Sequence, residues 1–256
     1  MNISAELIAA WRAEERAPFS GWDFSHLAGR MIEEQPPWSY MARARELLRG
    51  AKAALDVGTG GGERLLEMRP DWPRLMVAAE EYPPNVLLSA RRLAAEGGHV
   101  VVAPANEVEP LPFVDGAFDC VLNRHSAIHV PEIARVLTPG GVFFTQQVHG
   151  LWAEDLLAEF GARPQWPDAT PQRYVPALEA AGLGVTHVQE WRGRLRFTDV
   201  GALVYYLKAV SWSVVGFSVD AHLQTLLRLQ SRLDRGEELA FTARSYIMEA
   251  AKPAAQ

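Results

Sequence analysis

A chain of 256 residues with a formal charge of −6 and one cysteine, Cys120, already excludes several classes of protein. Net acidity argues against a polynucleotide partner, which basic surfaces usually meet, and a lone cysteine forbids an internal disulfide. No run approaches the roughly 18 apolar residues of a membrane span, and charges from Glu6 to Arg16 break any secretory core, so a cytoplasmic protein without membrane association is expected.

Taken in chain order, Ser4 can cap a helix through about Arg16, and a turn-rich stretch with Pro18, Gly21 and Pro36-Pro37 follows. Ser39 suits the N-cap of a helix over Tyr40–Arg49, with Gly50 as the residue just past its end. Residues 54–57 read as a short buried strand, followed by the turn Gly58-Thr59-Gly60-Gly61-Gly62-Glu63 and a helix opening at Arg64. Leu75–Ala79 is a second apolar strand ending in Glu80-Glu81, Pro84–Glu96 a helix, and His99–Ala103 a third strand. This alternation predicts βαβ units and a parallel sheet. Beyond strand 5 (Val142–Val148) come helical stretches at Trp152–Phe160 and Pro171–Ala181, then a strand from Leu183 to Phe197. Thr198-Asp199 opens an apolar helix to Val210, Val219–Leu233 has nearly helical apolar spacing, and Phe241–Ala250 is a final strand.

The glycine turn carries the most information. Glycine tolerates positive φ and lets backbone approach a ligand where a Cβ would clash. A dinucleotide site wants G-x-G-x-x-G/A, but the sixth position from Gly58 is Glu63, a carboxylate where phosphates would lie. A nicotinamide oxidoreductase is therefore disfavoured. The pattern Asp56-x-Gly58-x-Gly60-x-Gly62 resembles motif I of the class I S-adenosylmethionine-dependent methyltransferases, of the type 11-like kind. Three further segments fall in the order that resemblance requires: Glu107–Phe113 after strand 3, Gly116–Leu122 as an "FDxV" fourth strand, and Glu132–Gly141 as the helix and turn into strand 5.

The resemblance covers residues 50–150 closely and implies a Rossmann-like, seven-stranded, mostly parallel sheet in the order 3-2-1-4-5-7-6. It implies an N-terminal helical lid (1–50), a core (51–197), a helical cap between strands 6 and 7 (198–238), and a last core strand with a tail (239–256). The cofactor it implies is S-adenosyl-L-methionine, with S-adenosyl-L-homocysteine as product. Cofactor-binding candidates are Asp56, Gly58, Thr59, Gly60 and Gly62 at the turn, and Glu80 or Glu81 for the ribose. Asn106 or Glu107 would serve the adenine, and Asn123 the methionine part.

Methyl transfer from a sulfonium needs mainly alignment and exclusion of water, and a general base only where the acceptor arrives protonated. Among Asn123-Arg124-His125 at the end of strand 4, His125 is the candidate base, with His129 a turn later. Gln146, Gln147 and His149 end strand 5 on the same rim and are candidates to line the acceptor pocket. Trp22, Trp38 and Tyr40 before the core, and Trp212 after it, are candidate acceptor contacts; ordinary packing competes for each. Arg192, Arg194 and Arg196 share one strand face, as an anion stripe or as charged protection of a sheet edge. No His, Cys, Asp and Glu cluster has zinc spacing, so no metal is expected. The expected activity is methylation of a small molecule; an RNA or protein methyltransferase and a non-catalytic cofactor-binding module are the alternatives.

Overall fold

A computed structural model describes residues 5–19 and 23–255. The elements are α1 (Ala5–Arg16), β1 (Met31–Glu33), α2 (Tyr40–Gly50), β2 (Ala53–Val57), α3 (Glu63–Glu67), β3 (Leu75–Glu80), α4 (Pro83–Ala94) and β4 (His99–Val102). Next come β5 (Phe118–Arg124), α5 (Val130–Val136), β6 (Leu137–Val148), α6 (Glu154–Glu159), α7 (Pro171–Ala180) and β7 (Gly184–Phe197). The chain continues through α8 (Val200–Ala209), α9 (Leu223–Asp234) and β8 (Leu239–Ala251).

The strands hydrogen-bond in the order β1-β7-β8-β6-β5-β2-β3-β4. Without β1 this is the expected order 3-2-1-4-5-7-6, read from the opposite edge. Pairing is parallel among β2, β3, β4, β5 and β6, while β8 runs antiparallel to β6. The eighth strand corrects the expectation of seven. Three residues are too few to carry a period, and β1 exists through its partner: Met31 pairs with Phe197, Ile32 with Arg196 and Glu33 with Leu195, antiparallel. That strip of β7 is therefore not a sheet edge, and edge protection does not account for Arg194 and Arg196. Their guanidinium groups pair instead with Glu238.

The chain divides into two compact units, with β7 and β8 each contributing residues to both. The sheet unit comprises residues 37–148, 169–190 and 245–256. Adjacent residues of β2, Ala54 and Leu55, point to opposite faces and are both fully buried, as expected for parallel strands covered on both sides. One face gathers Leu55, Val121, Phe143 and Met248. The other gathers Ala54, Leu122 and Phe144 beneath Tyr40, Ala44 and Leu48 of α2. Ser39 caps α2 as expected, its hydroxyl accepting from Ala42 N–H at 3.2 Å. Gly50 does not lie beyond the helix: it is the last helical residue, and Ala51 leaves in an extended conformation.

The helical unit comprises residues 1–36, 149–168 and 191–244. Its centre is α8, with nine of ten residues buried; a helix apolar on every side belongs inside a core. Trp11, Leu156, Leu226, Leu229 and Phe241 join the same apolar cluster. Asp199 caps α8, accepting from Ala202 N–H at 2.8 Å and from Arg30 at 2.7 Å.

Candidate functional site

The turn after β2 holds three left-handed glycines, Gly58, Gly60 and Gly62, with φ of 73°, 63° and 81°. The N–H groups of Gly58 and Thr59 both donate to Ala79 O, at 2.9 and 3.1 Å, which fastens the turn to the end of β3. The three glycines serve different ends. A Cβ on Gly58 would lie 2.3 Å from Ser126 Oγ, and one on Gly62 3.2 Å from Leu93. A Cβ on Gly60 would meet nothing within 4 Å. A side chain at Gly58 would thus collide with Ser126 and one at Gly62 would press on Leu93, whereas of the three Gly60 alone keeps open space beside its backbone. Glu63, at the start of α3, pairs with Arg92, which also donates to Gly61 O at 2.9 Å.

Glu80 ends β3 and is buried, 6% exposed. Its Oε2 accepts from Gly60 N–H at 2.7 Å, and its Oε1 accepts from Glu81 N–H at 3.0 Å and Tyr82 N–H at 2.9 Å. One carboxylate therefore fixes both the glycine turn and the loop after β3. Glu81 is exposed and accepts from Ala105 N–H at 2.9 Å, across the loop beyond β4. The doublet diverges, as successive residues leaving a strand should.

Asp56 lies inside β2, 8% exposed. Burial pushes its carboxyl up to about 6, while the nearby Arg124 cation pulls the other way. Arg124 ends β5 beside Gln146 of β6. Its guanidinium sits 5.8 Å from the Tyr40 ring centre, and Tyr40 stacks on Phe144 with centroids 5.0 Å apart. Trp38 Nε1 donates to Gln146 Oε1 at 2.9 Å.

His125 turns off the strand at φ 55°, one of two non-glycine residues with positive φ among the described residues. Strained backbone of this kind collects at functional sites. Its N–H donates to Gln146 O at 3.0 Å. Crowding at the rim and the adjacent Arg124 cation hold the imidazole down at about 4, although part of the ring remains open to solvent. It is neutral near pH 7 and of low basicity, and its Nε2 lies 3.4 Å from Gln146 Nε2.

On the opposite face of the sheet, Asn123 is fully buried. Its Oδ1 accepts from Thr145 Oγ1 at 3.1 Å and from Gln147, and its Nδ2 donates to Ala127 O at 3.1 Å. Gln147 also donates to Ser126 O at 3.0 Å. These two side chains form an internal polar knot behind the loop that carries His125.

Asn106 shapes its own loop: Oδ1 accepts from the N–H groups of Val108 and Glu109, both at 2.9 Å. Glu107 accepts from Tyr174 Oη at 2.7 Å and pairs with Arg173, so it binds to α7. In the helical unit, His149 is buried and its Nδ1 accepts from Leu151 N–H at 3.0 Å, while Trp212 is 38% exposed. Trp22 lies outside the described residues. Asp56, Glu80, the glycines, Arg124, His125, Trp38 and Tyr40 thus belong to one unit, and His149 and Trp212 to the other.

The sequence alone gave Arg124 and Ser126 no role. A readable signal was present for Arg124, a cation at the carboxyl end of a mostly buried strand. Ser126 had none, because only the fold reveals it against Gly58.

Residues 55–145 match the methyltransferase-domain family model. The demethylmenaquinone methyltransferase of Deinococcus radiodurans is 30% identical over 111 residues, 41% of this chain and 46% of that protein. The chain spans about half the length of the curated relatives it matches. Among solved structures, one from Bacillus halodurans C-125 with a provisional methyltransferase name superposes with a TM-score of 0.61 at 18% identity, covering 85% of this chain and all of that one. The [4+2]-cyclase SpnF superposes with a TM-score of 0.52 at 17% identity, covering 90% and 92%. At these identities the structural likeness speaks for the fold alone. The family match thus shows a methyltransferase domain over residues 55–145, and the superpositions add the fold.

Proposed function

We propose that this chain, with a methyltransferase domain at its centre, binds S-adenosyl-L-methionine and transfers its methyl group to a small-molecule acceptor. The observation that carries the proposal is the glycine turn fastened to Glu80. Gly60 borders open space that any side chain would invade, and a buried carboxylate one strand away is fixed by three N–H groups. That arrangement suits a ribose beside the turn, and the residues present therefore fit the cofactor.

In this reading Asp56, Gly58, Thr59, Gly60, Gly62 and Glu80 hold the cofactor, which supplies an activated methyl group on a sulfonium. Glu81, Asn106 and Glu107 shape the loops around it, since each is tied to backbone or to a neighbouring side chain. Asn123 and Gln147 support the rim from behind. Trp38 and Tyr40 offer aromatic faces, which attract cations. His125 can accept a proton from an acidic acceptor, but at about 4 it is a poor match for a weakly acidic one. Alignment therefore carries more of the proposed catalysis than proton transfer.

A small-molecule acceptor is supported by the net charge of −6 and by the quinone-directed name of the Deinococcus relative. Calorimetric titration with S-adenosylhomocysteine and NAD tests the cofactor assignment. Binding of the first and not the second is expected; comparable or tighter NAD binding would sink it. Transfer of labelled methyl groups to a panel of phenolic and quinol acceptors tests the chemistry.

A second reading is a cofactor-binding protein without methyl transfer. The similarity to a cyclase favours it, since a shared fold does not fix the reaction. Tight cofactor binding with no labelled product from any acceptor would support that reading.

A further inference from the structure

We infer that Gln146, held by Trp38, keeps the His125 proton on Nδ1, so that His125 offers the methyl acceptor a hydrogen-bond donor rather than a base. The inference rests on the methyltransferase reading and deepens it: the acceptor it fits arrives already deprotonated.

The contacts around Gln146 allow one arrangement of protons. An indole N–H can only donate, so the Gln146 atom 2.9 Å from Trp38 Nε1 is the carbonyl oxygen. The other end of that amide is then the NH2 group, and it faces His125 Nε2 at 3.4 Å. A proton on Nε2 would set two donors against each other, whereas a lone pair there receives an amide proton. The neutral ring therefore carries its own proton on Nδ1. Backbone holds the pair together: Arg124 lies in register with Gln146, and His125 N–H donates to Gln146 O at 3.0 Å.

Nδ1 makes no hydrogen bond with any described residue, and His125 is exposed at the rim. Its N–H is thus left for a ligand. Such a donor fits an oxygen with lone pairs, and the adjacent Arg124 cation, which acts on the same ring, favours one that bears negative charge. A protonated hydroxyl would find no base in this ring, because Nε2 is engaged and Nδ1 already holds a proton. The acceptor class is therefore an oxyanion, such as a phenolate, methylated at that oxygen or at a conjugated carbon.

Long-range proton–nitrogen NMR on the full chain, labelled with ¹⁵N in histidine, reads the tautomer near neutral pH without any ligand. His125 is assigned by the signal lost in His125→Asn. His149, whose Nδ1 accepts from Leu151 N–H at 3.0 Å, carries its proton on Nε2 and is the internal reference. Wild-type His125 should show Nδ1–H. Gln146→Glu should reverse it to Nε2–H, since a carboxylate accepts from that nitrogen, and Trp38→Phe should give a mixture. Anything but Nδ1–H in the wild type, or one tautomer in all three folded proteins, overturns the inference; the wild-type spectrum decides even where a variant does not fold. Labelled methyl transfer to phenols of differing acidity gives a second readout. The kcat/KM should rise through each phenol's own pKa, and Gln146→Glu should lower it about 10-fold, the worth of one hydrogen bond. A midpoint common to every phenol would make His125 a base and overturn the donor role. Where Nδ1–H is seen but no phenol is methylated, the tautomer stands and the phenolate class falls; where S-adenosylhomocysteine does not bind either, the cofactor reading falls.

Discussion

In the helical unit, α8 is buried on all sides, and Asp199, Arg30, Glu154 and Arg244 each have a partner of opposite charge. In the sheet unit, the carboxyl ends of β2, β3 and β5 carry Asp56 with its carboxyl raised, Glu80 bonded only to backbone N–H groups, and Arg124 with no carboxylate partner among the described residues, its guanidinium over the Tyr40 ring. These charges of the first unit are settled internally. The second keeps two of its own, Asp56 and Arg124, in arrangements that cost stability, both at one end of one sheet. Such costs persist where something other than stability is served. Packing should therefore govern substitutions in the helical unit, whereas binding and stability should separate, or even oppose one another, at the sheet rim.

The largest effect is expected from Leu203→Ala in α8. Leu203 is fully buried, and emptying such a position costs about 2–5 kcal/mol. Urea unfolding checks it; a loss below about 1 kcal/mol would mean that α8 is not the packed centre described here.

Gly60→Val should next lower S-adenosylhomocysteine affinity by roughly 100-fold or more, since the side chain enters open space beside the turn and φ is positive. Gly58→Val should instead lower the melting temperature, because its Cβ falls 2.3 Å from Ser126 Oγ. Equal behaviour of the two variants in both measurements would erase the distinction between ligand-facing and packing glycines.

Glu80→Ala should weaken S-adenosylhomocysteine by about 1.5–3 kcal/mol and also reduce stability, since three N–H groups lose their acceptor. Glu81→Ala, removing one exposed bond to Ala105, should do much less. Parallel titrations decide; the reverse ranking would move the ribose contact to Glu81.

The sharpest separation is expected at Asp56. Its native pKa of about 6 lies above the ordinary 3.8, so the native state holds the proton more tightly than the unfolded chain. That contribution is fully present below about pH 4 and is lost as pH rises through about 6. Asp56→Asn should thus raise stability by about 1–3 kcal/mol near pH 7.5, with little gain near pH 4, while weakening cofactor binding. Thermal melts at the two pH values test the sign. A variant less stable at neutral pH would show that the carboxylate is compensated in the folded chain.

The sheet unit was the more legible one because its constraints are local. Glycine turns, strand-end acids and apolar runs buried on both faces all leave marks within a few residues, and the family resemblance those marks carry implied the order of seven strands. The division of labour between Glu80 and Glu81 was readable only as an ambiguity, since it depends on where Gly60 and Ala105 lie in space. Asn123 looked like a ligand-facing residue at a strand end; its partners Thr145 and Gln147 come from a neighbouring strand and could not be read from its own segment. Glu107 invited an adenine role by its place after β4, yet Tyr174 and Arg173 from α7 hold it. In the helical unit the long apolar run of α8 was evident. The pairing of three residues near Met31 with the end of β7 was not.

That pairing has a bearing on solubility. Where β1 lies along Leu195–Phe197, it occupies peptide groups that would otherwise be available to any extended chain. The strip it covers includes two buried side chains, Leu195 and Phe197, the kind of sequence that propagates cross-strand association once bared. Residues 31–33 thus act as a stopper, and a form lacking them would present a sticky seam to its own copies.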